Sequence, residues 1–187
     1  MNAPDPDRVP LIADELDELH AIAGLSAQRI IELGCGPAQM ARKLVRRFPG
    51  CSVAALEIDA VQHRKNLAEP QAGIEFIEAG AQAVPFAEAS FDLAIMLKSL
   101  HHVPTPLIGQ AISEVARVLK PGGLFYVSEP VYGEEFETKQ MRPSYADHRL
   151  DDAKVAHVRA AFEPFQGPAG ATFVRPLHVR VLRRLGR

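Results

Sequence analysis

A carboxylate followed by two closely spaced glycines is the feature of this sequence that most directly suggests chemistry. Glu32, Gly34 and Gly36 form a Glu-x-Gly-x-Gly pattern. The glycines permit backbone angles and close approaches that a Cβ atom would prevent, and Pro37 suits the first turn of a following helix. We therefore expect a ligand to lie against this turn, near a helix N-terminus and beside the Glu32 carboxylate.

The elements on either side of the turn form a βαβ unit. The apolar run at 29–33 predicts a buried strand, and a helix over 37–48 ends before Pro49-Gly50. A second strand at 52–59 carries Glu57 near its carboxyl end, 23 residues after Gly34. In nucleotide-binding βαβ units an acid at about this spacing binds the ribose hydroxyls. We favour this role over a solvated loop acid, and we expect Asp59 to cap the next helix.

Two ligand classes fit a glycine turn of this kind. The dinucleotide fingerprint requires a third glycine, which lets the helix pack against the strand. Gln39 stands at that position. A nicotinamide dehydrogenase is therefore disfavoured, and the absence of a second catalytic domain in the pattern disfavours it further.

The rest of the chain continues the alternation of strands and helices. We expect strands at 74–78, 90–97 and 124–128, a helix at 107–119, a loop at 133–143, a helix at 144–162 and a closing antiparallel strand at 172–182. Apolar residues near helical spacing also predict an amphipathic helix at 10–24, which covers the sheet or, alternatively, lids the site. The fold class is α/β, with a mostly parallel sheet and helices on both faces.

Composition limits the remaining possibilities. The 187 residues are 47% hydrophobic with a net charge of −2. This composition predicts a single domain over 1–187, in which residues 1–9 form a flexible arm. No basic stripe predicts nucleic-acid binding, and no apolar run is long enough to span a membrane. Cys35 and Cys51 do not make a disulfide framework, so we expect a cytoplasmic protein, and no metal-ligand spacing is present.

Several motifs along the chain together resemble one family. Val84-Pro85-Phe86, Ser90-Phe91-Asp92, the Leu100–Val103 segment and the Glu114–Gly123 segment follow the glycine motif in order. This arrangement resembles the class I S-adenosylmethionine-dependent methyltransferases over roughly residues 25–130. It is most similar to the small-molecule branch that includes the ubiquinone and menaquinone biosynthesis enzymes. The resemblance implies a Rossmann-like, doubly wound fold and S-adenosylmethionine as cofactor, with S-adenosylhomocysteine as product.

The resemblance also implies a set of cofactor-binding residues: Glu32, Gly34, Cys35, Gly36, Glu57, Ile58, Ala81, Gln82 and Lys98. One departure concerns the adenine end, where members of the family usually carry an aspartate. Gly80 stands in its place. The Gln82 amide oxygen, with help from the Ala81 backbone, could accept a hydrogen bond from the adenine amino group instead.

The residues after the fourth and fifth strands face the same edge of the sheet. Lys98 either extends its ammonium to solvent or binds a carboxylate, of the methionine moiety or of an acidic substrate. Methyl transfer from a sulfonium needs a base only when the acceptor must lose a proton. The candidate catalytic residues are His102 and Glu129, and each could serve in positioning rather than in chemistry.

These inferences leave two functional hypotheses. The first is methyl transfer to a small-molecule acceptor by direct displacement. The alternative is a module that binds S-adenosylmethionine or S-adenosylhomocysteine but has lost methyl transfer, which the glycine at position 80 favours. Methylation of nucleic acid is disfavoured because the chain lacks an Asn-Pro-Pro-Tyr-type motif.

Overall fold

The computed structural model describes residues 12–130 and 177–185. The chain divides into two compact units: residues 10–129 with 178–187, and residues 1–9 with 130–177. The arm at 1–9, the loop at 133–143 and the helix at 144–162 lie outside the described residues, and the prediction of a single domain stays a prediction.

Four α-helices and six strands make up the described part of the chain. The helices are α1 (Glu15–Ala23), α2 (Gln39–Arg47), α3 (Ala60–Ala68) and α4 (Ile108–Val118). The strands are β1 (Arg29–Leu33), β2 (Ser52–Glu57), β3 (Ile74–Glu78), β4 (Phe91–Leu97), β5 (Leu119–Pro130) and β6 (Leu177–Arg183). Two 3₁₀ turns, Leu100–His102 and Thr105–Leu107, connect β4 to α4.

All six strands form one sheet in the order β3-β2-β1-β4-β5-β6. The first five strands are parallel. The sixth is antiparallel, and next to it the Gly122 N–H donates to the Arg184 carbonyl oxygen at 2.8 Å. The predicted α/β fold with an antiparallel C-terminal strand is therefore confirmed. Strand order reverses between β1 and β4, and ligands of open α/β sheets bind at such a switch point.

The sheet separates two apolar clusters. On one face, side chains of α1 and α2 such as Leu16, Leu19 and Leu44 pack against residues of the strands. On the other, Ala111, Val115 and Val118 of α4 do so. Helix α3 lies along β2 and β3, next to α2, whose Arg42 side chain donates to the Glu69 carbonyl oxygen at the end of α3. Strands β1, β2 and β4 are buried along almost their whole length, because helices cover both faces of a parallel sheet.

Several boundaries differ from the predicted ones, and three of the differences have a clear local cause. Helix α1 begins only at Glu15, because the Asp14 side chain accepts a hydrogen bond from the Leu16 N–H at 3.0 Å and caps it. Helix α2 begins at Gln39 because Ala38 adopts a left-handed conformation with φ +55°, so Pro37 is not its first residue. Strand β5 starts at Leu119 rather than at the predicted 124, because Leu119 already pairs with Phe91 of β4; the register then shifts before Leu124, where Gly122 has φ +82°.

Candidate functional site

A cavity of about 980 Å³ opens at the carboxyl ends of the central strands. Ten of the eleven residues predicted for the site line it: Glu32, Gly34, Cys35, Gly36, Glu57, Ile58, Ala81, Gln82, Lys98 and His102. The fold therefore brings together segments that are up to 70 residues apart in sequence. Glu129, in this described part of the chain, does not line the cavity.

The glycine turn is held between β2 and the segment after β4. The backbone N–H groups of Gly34 and Cys35 both donate to the Leu56 carbonyl oxygen at 2.9 Å. The Ser99 hydroxyl donates to the Leu33 carbonyl oxygen at 2.8 Å. Gly34 has φ +71°, and a Cβ atom there would lie 2.7 Å from the Ser99 Cβ. Position 34 therefore requires glycine for both its backbone angle and its surroundings.

Gly36 is anchored at both of its backbone polar groups. Its N–H donates to Glu57 Oε2 at 2.8 Å, and its carbonyl oxygen accepts from Asn66 Nδ2 at 2.8 Å. Glu57 Oε1 accepts from the Asp59 N–H at 2.9 Å, and Gln62 Nε2 donates to Asn66 Oδ1 at 3.0 Å. Side chains from β2 and α3 thus fix the conformation of the turn that faces the cavity.

Glu32 lies at the floor of the cavity and is almost completely buried. Its Oε2 accepts a hydrogen bond from the Ala41 N–H, in the first turn of α2, at 3.0 Å. Burial raises the pKa of Glu32 from 4.5 to about 8, and the nearby Glu15 carboxylate adds to the effect, while the Ala41 N–H opposes it. The carboxyl group is therefore largely protonated at neutral pH unless a ligand contributes positive charge.

Cys35 and Ile58 line the cavity with apolar character. Burial, followed by the Glu32 and Glu57 carboxylates, raises the pKa of the Cys35 thiol to about 12. The thiol therefore stays neutral and packs as a small apolar group. Ile58 leaves 63% of its surface exposed at the cavity mouth, where it offers a flat apolar contact for a ring.

The segment after β3 contains an internal contact between Gly80 and Gln82. A Cβ atom at Gly80 would lie 2.5 Å from Gln82 Oε1. The Gln82 amide therefore occupies the space that any side chain at position 80 would need. Gln110 Nε2 donates to the Gln82 backbone oxygen at 2.9 Å and ties this segment to α4. Glycine at position 80 and glutamine at position 82 are sterically coupled.

Lys98 follows β4 directly and pairs with α1. Its Nζ lies 2.7 Å from Glu15 Oε2, and both residues line the cavity. The interpretation of Lys98 as a side chain extended into solvent is therefore incomplete, since its ammonium is engaged by a carboxylate. The first turn of α1, including Ala13 and Asp14, also lines the cavity, which agrees with the lid interpretation of this helix.

The two histidines after β4 have different surroundings. His102 lines the cavity, whereas His101 Nδ1 lies 2.5 Å from Glu129 Oε2. The rings are adjacent, with centroids 4.0 Å apart. Glu129 Oε1 also accepts from the Leu100 N–H at 2.7 Å. Both oxygens of Glu129 therefore hold the 3₁₀ turn that presents His102, which favours a positioning role over direct proton transfer for Glu129.

The charge of the cavity favours a cationic ligand. Its carboxylic acids are Asp14, Glu15, Glu32, Glu57 and Asp59, and its amines are Lys43 and Lys98. Lys43 and Lys98 are paired with Asp14 and Glu15, so none of the described amines that line the cavity pairs with Glu32 on β1, Glu57 on β2 or Asp59 after it. Among the described residues, no group of three or more His, Cys, Asp or Glu side chains is arranged to hold a metal ion.

Comparison with known proteins identifies the family. Residues 31–127, just over half of the chain, match the methyltransferase domain family. The chain belongs to this family. It is of the class I S-adenosylmethionine-dependent type that the motifs resemble, and S-adenosylmethionine is the cofactor of that family.

Three relatives illustrate the range of the family. A fatty-acid O-methyltransferase from Mycolicibacterium smegmatis is 32% identical over 58% of this chain and 39% of its own length. The 27-O-demethylrifamycin SV methyltransferase from Amycolatopsis mediterranei is 28% identical over 90% of this chain and 66% of its own length. An S-adenosylmethionine-dependent methyltransferase from Mesorhizobium loti has a TM-score of 0.54 and 27% identity, with 62% of this chain and 53% of that one covered. The chain spans half or less of the first curated relatives it matches.

Sequence reasoning missed three residues of the site. These are Glu15, Asn66 and Ser99, none of which the sequence motifs single out. The spacing of Asp59, Gln62 and Asn66 places these polar residues on one side of α3, and this signal could have identified Asn66. Nothing local in the sequence indicates that Glu15 meets a lysine 83 residues away.

Proposed function

We propose that this protein binds S-adenosylmethionine in the described cavity and transfers its methyl group to a small-molecule acceptor. The observation that carries the proposal is the acid-flanked glycine turn, in which Glu57 holds Gly36 at the cavity wall. The family assignment supports the methyl donor, and the named relatives act on small molecules. The activity of the whole protein is part of this proposal.

Individual residues take separate parts of the ligand in this proposal. Glu57 accepts hydrogen bonds from the ribose hydroxyls, for which its carboxylate has lone pairs beyond the two used on the backbone. Ile58 packs against the adenine ring. Gln82, which fills the space above Gly80, accepts from the adenine amino group in place of the usual aspartate. Glu32 balances the positive charge of the methionine moiety, and the backbone of Gly34 allows close approach.

S-adenosylmethionine supplies an electrophilic methyl group on a positively charged sulfur. The residues of this chain bind, orient and exclude water, because direct displacement depends mainly on alignment of the acceptor with the methyl group. His102 is the candidate base at the cavity for acceptors that must lose a proton. Glu129 positions His102 through the turn at 100–102. We propose a cytosolic location, which the two unpaired buried cysteines support. None of the helices in the described part of the chain is suited to crossing a membrane.

Calorimetric titration tests the binding step. S-adenosylmethionine and S-adenosylhomocysteine should bind with micromolar affinity, about −8 kcal/mol, whereas NAD should not bind. Glu57→Ala should weaken binding at least about tenfold, because a charged hydrogen-bond acceptor is lost. Glu75→Ala, an exposed acid on β3, serves as the matched control. Failure of both S-adenosyl compounds to bind would refute the proposal.

Gln82 provides a second test and separates catalysis from binding. Gln82→Ala should lower affinity for S-adenosylhomocysteine while leaving the fold intact, because its side chain makes no hydrogen bond that the fold requires. If the ligand binds but no methyl transfer follows with any small-molecule class tested, the non-catalytic alternative is correct. That alternative is favoured by one observation, the replacement of the usual aspartate by Gly80.

A further inference from the structure

Lys98 has a backbone conformation that is unusual for a residue with a side chain. Its φ is +57°, directly after β4, in the left-handed region where a Cβ atom is disfavoured. Its N–H donates to the Ser128 carbonyl oxygen at 2.7 Å, which holds this conformation. Strained backbone of this kind is concentrated at ligand sites. Lys98 lines the cavity at this point.

The partner of Lys98 is poorly satisfied. Glu15 pairs through Oε2, but its Oε1 is buried and has no hydrogen-bond partner. The Tyr126 hydroxyl is also buried, and within the described part of the chain it makes no hydrogen bond of ordinary geometry. Burial, and then the carboxylates of Glu15 and Glu18, raise the pKa of Tyr126, and a weak hydrogen bond to Glu15 adds to the effect. The Glu15 carboxylate therefore lies near the tyrosine hydroxyl, but Lys98 is its strong partner. A buried carboxylate with one free oxygen is costly, so the Glu15 position is one that another carboxylate could take over.

The ion pair that Asp17 of α1 makes is more exposed to solvent than the pair between Lys98 and Glu15. Asp17 pairs with Arg47, and each side chain leaves about half of its surface in solvent. The Glu15 side chain is only 13% exposed, and it lies against the same cavity as Gly34 and Ser99. A ligand in the cavity can therefore reach the Lys98 ammonium by displacing a single, mostly buried side chain. The other amine of the cavity, Lys43, pairs with Asp14, whose side chain is 35% exposed.

We propose that Lys98 is a carboxylate-binding residue of this cavity and that Glu15 occupies its carboxylate position in the structure. A ligand carboxylate displaces Glu15, whose buried free oxygen then gains water, and the first turn of α1 is released from β4. The inference rests on the proposed function in one respect, because S-adenosylmethionine carries a carboxylate. The carboxylate of an acidic acceptor has the same chemistry, and the experiment distinguishes the two sources.

The first arm compares two nucleosides by calorimetry. S-adenosylhomocysteine carries an aminocarboxylate, whereas 5′-methylthioadenosine has the same nucleoside and thioether without it. Lys98→Met should weaken binding of S-adenosylhomocysteine about tenfold or more and leave 5′-methylthioadenosine unchanged. Glu15→Gln should tighten S-adenosylhomocysteine about threefold, because the competing carboxylate is gone. Asp17→Asn, which removes another ion pair of α1, should change neither.

The second arm uses octanoate, with octanamide as the uncharged control, both with and without saturating S-adenosylhomocysteine. Octanoate binding that requires Lys98 and improves in Glu15→Gln assigns the carboxylate to the acceptor. If S-adenosylhomocysteine binds more tightly than 5′-methylthioadenosine only when Lys98 is present, the carboxylate bound by Lys98 is that of the cofactor. If neither carboxylate ligand responds to either variant, the inference is overturned. If neither nucleoside binds the unaltered protein, the proposed function fails, and the octanoate arm still decides the role of Lys98.

Thermal unfolding of each variant accompanies the titrations. Unchanged binding of 5′-methylthioadenosine shows that a variant is folded at the nucleoside end of the cavity. The combined variant with both substitutions is decisive: Glu15→Gln should have no effect once Lys98 is methionine, because the competition requires the ammonium. A tightening that persists without Lys98 would contradict the proposed exchange.

Discussion

Replacement of Glu32 by glutamine should stabilise the protein increasingly as the pH rises. The carboxyl group is almost completely buried, and its pKa is raised to about 8. A glutamine resembles the protonated acid and keeps an oxygen for the Ala41 N–H. The variant therefore removes the cost of ionising a buried acid while retaining its hydrogen bond.

The size and sign follow from proton linkage. Between a pKa of 4.5 in the unfolded chain and about 8 in the folded protein, the folded state binds more protons, so the free energy of unfolding falls as the pH rises. At about 1.4 kcal/mol for each tenfold change in proton affinity, the full loss is at most about 5 kcal/mol. It is absent below pH 4.5 and complete above about pH 8.

Urea unfolding followed by circular dichroism, at pH values from about 5 to about 9, measures the effect. The difference between Glu32→Gln and the unaltered protein should grow across this range and then level off. Glu75→Gln removes an exposed acid from β3 and should follow the unaltered protein. If the Glu32→Gln curve runs parallel to that of the unaltered protein at every pH, the argument from burial is wrong.

Three further predictions concern the turn and one ion pair. Gly34→Ala should destabilise more than Gly36→Ala, because both have positive φ but only position 34 has a Cβ clash, with Ser99; equal losses in thermal unfolding would contradict this. Asn66→Ala should cost about 1–3 kcal/mol, since the Gly36 carbonyl oxygen loses its donor; Gln62→Ala, which removes only the outer hydrogen bond, should cost less. Arg117 donates to Glu114 and lowers its pKa to about 2, so Glu114→Gln should destabilise at neutral pH. That difference should shrink as the pH falls from 4.5 towards 2, and a constant difference would refute it.

Strands β1, β2 and β4 were predictable because their residues are buried on both faces, and β3 was predictable because apolar and acidic residues alternate along it. Strands β1 and β3 match the predicted bounds, and β4 starts within a residue of its predicted position, since short apolar runs bounded by polar residues identify buried parallel strands. The position of Glu57 beside the glycine turn was predicted from its spacing after Gly34 and from its place at the carboxyl end of the second strand. Helix ends were less predictable, because Ala38 adopts a left-handed angle that no local pattern signals.

The side-chain contacts that could not be predicted from the sequence are those that depend on how segments of the chain meet in the fold. The sequence leaves two interpretations for Lys98, exposure to solvent or binding of a ligand carboxylate. In the structure its ammonium pairs instead with a carboxylate of the chain itself, that of Glu15. Gln82 was considered as a replacement for the missing aspartate, but its contact with Gly80 depends on side-chain conformation. The strand predicted at 172–182 is described only from Leu177, as β6, and residues before it lie outside the described part.

The double anchoring of Gly36 has an evolutionary consequence. Its hydrogen-bond partners come from β2 and α3, so neither α1 nor the 3₁₀ turns before α4 hold this glycine. Residues 13–15 and 102–104 also line the cavity. Under the proposed function, mutations at residues 102–104 can alter which acceptor is accommodated while the hydrogen bonds that hold Gly36 stay in place. A domain organised in this way can diversify its acceptors gradually, and relatives named for a fatty acid and for a rifamycin are what such a history would leave.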